Sequence, residues 1–325
     1  MVHISILALK NAVLASVADS RYLFTMVNEF LQQAGKPPLF KVQLAGLTEE
    51  VKLNNGMFSL HPEILLKDID RTDLIIIPAM TGDMVSSTYK NIDYAPWIAQ
   101  QYKNGAEVAS LCVGAFLMAF SGILKDKQCT THWLYANEFR HFYPSAILVE
   151  EKVMTAQQGV YSSGGNNAYW NLLLYLVEKY TNRQIAIHTA KYFVIDLDRH
   201  QQTPFVIFSG LKDHEDEVIK EAQEFIEAHY EDKLTVDQLA EQFNITRRTF
   251  ERRFKKATYL TVAEYIQRVK IEAAKKQLEA GRRSITEVMV AVGYSDTQTF
   301  RDVFKKITGM TPVDYRDKYN SGVSM

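Results

Sequence analysis

The sequence predicts two domains of different class: an α/β layered domain with a mostly parallel sheet over residues 1–210, and an all-α domain with two helix-turn-helix units over 211–325. Three observations predict this. Strand-like apolar runs alternate with helix-spaced ones through the first half, an order that buries a parallel sheet between helices. Near the end one pattern occurs twice, as Phe250, Phe254, Lys255, Lys256, Thr258, Thr261, Glu264, Tyr265 and again as Phe300, Phe304, Lys305, Lys306, Thr308, Thr311, Asp314, Tyr315, each pair 50 positions apart. A repeat at that period means two copies of one supersecondary unit. Charge is also sorted: the chain has a formal net charge of −1, yet from Lys233 to Met325 there are 18 Lys and Arg against 11 Asp and Glu, so positive charge gathers at one end.

The chain of 325 residues with 47% apolar content is long enough for two buried cores. Two cysteines, Cys112 and Cys129, form no disulfide framework, and no His/Cys spacing suits a metal. The expectation is a reducing, cytoplasmic setting with no metal and no cofactor. Met1–Leu9 lacks the basic leader of a signal peptide, and no apolar run reaches the length of a membrane helix.

In chain order, Ile4, Ile6, Leu7 and Leu9 lie in an apolar run that reads as a central strand covered on both faces. Tyr22, Leu23, Met26, Val27 and Phe30 give helical spacing over Ala18–Gln32. Lys41–Ala45 alternates like a strand, and Asn54-Asn55-Gly56 within Leu53–Leu60 is a hairpin turn. Asp73–Pro78 is a second buried strand and Ala95–Asn104 a helix.

Glu107–Leu111 is a strand that passes through Cys112 directly into an apolar helix, Val113–Phe120. Such an elbow strains the backbone at its apex and lifts the side chain off the sheet. A thiol there would lie at the positive end of a helix, which lowers its pKa; the competing reading is a buried packing cysteine. After the strand-like Gln128-Cys129, Thr130-Thr131-His132-Trp133 could bring His132 near Cys112.

Ala146–Val149 and Val153–Ala156 read as a strand pair. Ser162-Ser163-Gly164-Gly165-Asn166 reads as a polar turn into the helix Tyr169–Tyr180, whose first amides could hold an anion or simply be capped. Ser16, Gly82, Asp83 and Cys112 all fall where strands end, the place where ligands gather in α/β sheets. Ile185–Val194 can be helical, and Gln201-Gln202-Thr203-Pro204 with Ser209-Gly210 marks a connector. The domain boundary is placed near Gly210.

Asp216–Tyr230 is the first helix of the second domain. Val236, Leu239, Ala240 and Phe243 give a short helix, Asn244-Ile245 break it, and Thr246 caps a helix carrying Phe250 and Phe254. In the second copy Ile285, Val288, Met289 and Val292 form the short helix, Gly293 turns, and Ser295 or Asp296 caps the helix of Phe300, Val303 and Phe304 after a turn one residue longer. Val262–Ala280 joins the copies as one long helix with Ile266, Val269, Ala273, Ala274 and Leu278 inward. The open face of the first copy's second helix is basic, with Arg247, Arg248, Arg252, Arg253, Lys255 and Lys256, whereas Thr235–Phe243 has no Lys or Arg. Charge placed there suits phosphates and base edges.

Two resemblances attach to these residues. Leu239-Ala240, Phe250-x-Arg252-x-Phe254-Lys255-Lys256, Val292-Gly293-Tyr294-Ser295-Asp296, Phe300-Arg301-x-x-Phe304-Lys305-Lys306, Gly309-x-Thr311-Pro312 and Tyr315-Arg316 resemble the DNA-binding domain of the AraC/XylS transcriptional regulators, with Met289 where that family usually has a small residue. The resemblance implies that both second helices enter successive major grooves on one face of the duplex, roughly 34 Å apart. It implies base-edge contacts from Arg247, Arg248, Glu251 and Arg252 and from Thr297, Gln298 and Arg301, and phosphate contacts from Lys255, Lys256, Lys305 and Lys306.

Ser110–Ala119 and Thr130–Trp133 resemble the regulator branch of the DJ-1/PfpI, or class I glutamine amidotransferase-like, superfamily, a flavodoxin-like α/β sandwich. There the reactive cysteine maps to Cys112 and the motif histidine to His132. Ser16 stands where hydratase relatives carry an acidic residue, and Asp19 where a glycine is common. A serine cannot shuttle a proton near pH 7 as a tuned carboxylate does. The implied protein is therefore a DNA-binding transcription regulator rather than an enzyme. Its partners would be double-stranded DNA, a small-molecule effector held by Ser16, Gly82, Asp83, Cys112 and His132, RNA polymerase, and a second copy of itself. The alternatives are a cysteine-dependent hydratase or amidase with an attached DNA-binding domain, and a first domain that only dimerises.

Overall fold

The computed structural model describes residues 1–165, 167–196 and 202–320; Asn166, which the sequence assigns to a turn, and Gln201, which it assigns to the connector, lie outside the described residues. The chain divides into two compact units, Met1–Gln202 and Thr203–Met325. The first contains β1 (Val2–Leu7), α1 (Leu14–Gln33), β2 (Phe40–Gly46), β3 (Val51–Leu53), β4 (Phe58–Leu60), β5 (Ile64–Leu65), β6 (Leu74–Ile77), α2 (Met84–Tyr89) and α3 (Ala95–Lys103). It continues with β7 (Glu107–Ser110), α4 (Ala115–Phe120), β8 (Gln128–Cys129), α5 (Ala136–Phe142), β9 (Ile147–Leu148), β10 (Met154–Gln157), β11 (Val160–Ser163), α6 (Ala168–Tyr180) and α7 (Arg183–Phe193).

The main sheet has the order β10-β11-β7-β6-β1-β2-β5. Its strands run parallel except β10, which is antiparallel to β11 because the two-residue turn Gln158-Gly159, both at positive φ, joins them as a hairpin. Ile4 and Ile6 on one face of β1 and Ser5 and Leu7 on the other are buried, as are all four residues of β6, so these strands are covered on both faces. Helices α1, α6 and α7 form one covering layer and α2–α4 another. The chain leaves β1 toward β2 and returns across it to β6, which puts a topological switch point between β1 and β6.

Several expectations change. α1 begins at Leu14 rather than Ala18 because the Ser16 hydroxyl donates to the Val13 carbonyl at 2.7 Å and closes the first turn. Ile147–Leu148 and Met154–Gln157 are both strands, yet they do not pair with each other: β9 lies parallel to β8 in a separate two-stranded sheet, and β10 joins the main one. Ser162 and Ser163 belong to β11, not to a turn. Their small hydroxyls are buried and bonded, which disguises a central strand as polar sequence.

The second unit is helical: α8 (Glu217–Ala228), α9 (Val236–Gln242), α10 (Arg247–Thr258), α11 (Val262–Ala280), α12 (Ile285–Ala291), α13 (Thr297–Thr308) and α14 (Pro312–Tyr319). It holds two cores. One gathers Ile219, Ile226, Leu239, Phe250, Phe254 and Tyr265; the other gathers Ile271, Leu278, Val288, Phe300, Phe304 and Tyr315. The first half of α11 serves one core and the second half the other. No helix among the described residues is long and apolar enough to cross a membrane.

Candidate nucleic-acid interface and elbow site

The interface begins with caps. Thr235 and Gln238 form a capping box at α9, and Ser284 and Glu287 form one at α12. Thr246 caps α10 by accepting from the Thr249 amide, and Asp296 caps α13 by accepting from the Thr299 amide. Between the paired helices the chain turns through a left-handed residue, Asn244 at φ 53° in the first copy and Gly293 at φ 77° in the second. Gly293 is needed twice over, since a Cβ there would run into the Glu231 carbonyl oxygen.

Past the turns the copies agree closely. Thr258 and Thr308 each donate to the carbonyl of the phenylalanine four residues earlier at 2.8 Å. The Phe250–Phe254 and Phe300–Phe304 ring centroids are both 5.7 Å apart. Tyr265 donates to Glu227 at 2.6 Å, and Tyr315 donates to Glu279 at 2.6 Å. Glu227 lies on α8 and Glu279 on α11, so α11 supports the second copy as α8 supports the first.

Lys270 ties the copies together. Its buried ammonium donates to the carbonyls of Asp232 at 3.1 Å and Val292 at 3.0 Å, the first preceding α9 and the second ending α12. Burial holds its pKa below the usual lysine value, with Asp232 offsetting part of the drop. The signal was visible: Lys270 falls within the inner stripe of α11, four residues after Ile266, where a lysine needs a buried partner.

Each residue the sequence assigned to DNA lies on the exposed side of its helix: Arg247, Arg248, Glu251, Arg252, Lys255 and Lys256 on α10, and Thr297, Gln298, Arg301, Lys305 and Lys306 on α13. Arg247 is paired with Asp237 at 3.0 Å and Glu251 at 3.3 Å, and Gln298 donates to Asp302 at 2.9 Å. Arg253 departs from the expected open face. It turns back to Asp216, the cap of α8, through two bonds of 2.5 and 2.9 Å, and its hydrogen bonds hold the Asp216 carboxyl below the usual range.

In the first unit the elbow is present: Cys112 has φ 54° and opens a single 3-10 turn, Cys112–Gly114, before α4. Its amide donates to Ser163 Oγ at 3.0 Å and its carbonyl accepts from Thr131 Oγ1 at 3.2 Å. The expected low thiol pKa does not appear. Cys112 is 2% exposed, and burial pushes its thiol up to about 12, because desolvation of a thiolate outweighs one short turn of amide dipoles. Burial also lowers the pKa of His132, whose Nδ1 accepts from the Leu134 amide at 3.1 Å. Two neutral groups result, not a thiolate–imidazolium pair.

Ser16 is fully buried; its hydroxyl accepts from the Ala79 amide at 3.1 Å while donating to Val13. Asp83 caps α2 through the Ser86 amide, and Gly82 takes φ 88° beside it, both exposed. The sequence reading missed Tyr169, whose hydroxyl donates to Asp19 at 2.6 Å. Burial first, then the Asp19 carboxylate, push the Tyr169 pKa up, and Asp19 serves as the acceptor of its hydroxyl. Among the described residues, no group of three or more His, Cys, Asp and Glu side chains could hold a metal ion.

Comparison with known proteins follows this division. The helix-turn-helix domain family matches residues 239–318, and the DJ-1/PfpI family matches residues 22–179. The chain is 23% identical over 318 residues to the HTH-type transcriptional regulator GbdR of Pseudomonas aeruginosa, covering 96% of this chain and 83% of GbdR. It is 24% identical over 267 residues to the HTH-type transcriptional regulator CdhR of the same organism, covering 81% and 77%. The solved structure of a Vibrio parahaemolyticus protein, described as a candidate transcriptional regulator, matches 59% of this chain and 98% of its own with a TM-score of 0.53 at 22% identity, a likeness of fold.

Proposed function

Since the chain is a DNA-binding transcription regulator of the AraC family that carries a DJ-1/PfpI domain, we propose that α10 and α13 read two adjacent major-groove segments, and that residues 1–210 control them through a small-molecule effector or dimerisation. The observation that carries the reading is the pair of equivalent helix-turn-helix units built on one unbroken helix, α11. A rod of this kind fixes the register of two readers. Half-sites should then lie about 10 to 10.5 base pairs apart, one helical turn of DNA. Arg248 and Arg252 suit guanine and Gln298 suits adenine, by bidentate hydrogen bonding; Lys255, Lys256, Lys305 and Lys306 suit phosphates.

The non-enzymatic reading is supported by the neutral Cys112 and by Ser16, whose hydroxyl is used inside the fold. The protein would act in the cytoplasm, where its DNA is, and RNA polymerase and a second copy of the chain would be its further partners. Selecting duplexes from a random pool, with and without small nitrogenous metabolites, tests the reading. An enriched bipartite motif whose affinity shifts with one compound supports it. Enrichment of a single half-site, or of none, overturns the two-reader account.

A further inference from the structure

Beside the elbow, a polar slot is filled by the chain itself. Gln202 is the last residue of the first unit and is 1% exposed. Its Oε1 accepts from the Gly165 amide at 2.9 Å. Its Nε2 donates to the Glu150 carbonyl at 2.6 Å, the Thr131 carbonyl at 3.1 Å and Thr130 Oγ1 at 3.3 Å. The fit requires a bare backbone at Gly164, because a Cβ there would collide with Oε1. The slot adjoins the elbow: Thr131 bonds the Cys112 carbonyl, and a Cβ on Gly165 would lie 3.3 Å from His132 Cδ2.

One donor faces three oxygen acceptors across the width of an amide group. A primary carboxamide answers all of them. A carboxylate would set a bare oxygen against the carbonyls of Glu150 and Thr131, and an ammonium would leave the Gly165 amide without an acceptor; each is costly in a buried site. Such a pattern rejects analogues that lack the matching group far more strongly than an apolar pocket rejects a methylene.

In the second unit, the same connector is fixed to α11. Lys275 Nζ donates to the Val206 carbonyl at 2.5 Å, and the Phe208 amide donates to Glu272 at 3.1 Å. Three residues of chain, Thr203, Pro204 and Phe205, thus separate the slot's occupant from the first of these anchors.

We propose that the slot formed by Gly164, Gly165, Thr130, Thr131 and Glu150 is a subsite for a primary carboxamide on the effector, and that Gln202 occupies it as a tethered stand-in until the effector displaces it. Displacement frees the connector next to its anchor on α11. The release step rests on the reading that the first domain controls the second; the slot does not.

The test uses the full chain, Gln202→Ala, and three small probes at millimolar concentration: propionamide, propionate and propylammonium. Ligand-observed NMR should show propionamide binding to the variant at least tenfold more tightly than either other probe, and at least tenfold more tightly than to the unaltered chain, where Gln202 competes. No binding to the variant, or equal binding of propionate, overturns the slot. Gly164→Ala, which leaves no room for the carboxamide, supplies an independent reading: limited proteolysis should cut the connector faster than in the unaltered chain, and an unchanged rate overturns the stand-in role. Affinity of Gln202→Ala for the selected duplex separates the two claims. Propionamide binding with unchanged DNA affinity keeps the slot and overturns release; changed affinity with no probe binding sinks the slot alone.

Discussion

At the scale of the residue, Cys112 and the arginines of α10 lead to different tests. The Cys112 thiol has a folded pKa of about 12, above the free value of about 8.5, so the folded state holds its proton more tightly than the unfolded chain does. Its contribution to stability is intact below about pH 8.5 and is lost as pH rises toward the folded value, with a limiting slope of about 1.4 kcal/mol per pH unit. Denaturant unfolding at stepped pH should show a shallower alkaline decline for Cys112→Ala than for the unaltered chain, and labelling of native protein should find Cys112 unreactive at about pH 8.5, the free midpoint. Rapid labelling there would restore the enzymatic alternative. On α10, Arg252→Ala should cost about 1–3 kcal/mol on the best duplex and relax preference at one position. Lys255→Ala should weaken all duplexes alike. Equal loss on every sequence for Arg252→Ala would move that side chain from base edge to backbone. The exposure of these positions was legible because a solvent-facing residue needs only its helical spacing to be placed. Arg253 was misread because its partner, Asp216, comes from a helix 37 residues earlier.

The relevant elements are the rod and the two cores it serves. Phe254 and Phe304 are fully buried in different clusters, so each should lose about 3–5 kcal/mol on truncation to alanine, and the two losses should add within about half a kcal/mol because the two rings belong to separate cores that have Tyr230 at the edge of both. A double variant that departs widely from that sum would show one core where the structure has two. Lys270→Met is the complementary change. It keeps an unbranched side chain only one atom shorter but leaves the carbonyls of Asp232 and Val292 without their shared donor, so binding to the bipartite duplex should fall at least tenfold while binding to an isolated half-site falls less. Equal loss on both would make Lys270 a general stability residue and not the element that sets the spacing. Helix α11 matched its expected bounds, Val262–Ala280, since capping and apolar period are local. The pairing of β9 and β10 was misread for the opposite reason, because partner choice between short strands is decided by what lies beside them.

At the scale of the whole molecule, DNA binding should be strongly salt-dependent. Replacing Lys255, Lys256, Lys305 and Lys306 together by alanine should flatten the log–log salt slope by about 0.9 for each phosphate that is no longer neutralised, and an unchanged slope would take these lysines off the backbone. Sequence by itself determined that there are two domains, that the second is a duplicated helix-turn-helix unit with positive charge on an exposed helix face, and that a cysteine occupies a strand-to-helix elbow. All of these rest on caps, periods and motifs confined to short stretches of chain. Only the tertiary structure decided that the thiol is neutral, that Asp19 bonds Tyr169, that Lys270 joins the two helix-turn-helix units, and that Gln202 fills the slot beside His132. Protonation and hydrogen-bond pairing depend on which groups folding removes from water together, and residues 72 positions apart, as Thr130 and Gln202 are, carry no mark in the sequence of meeting there.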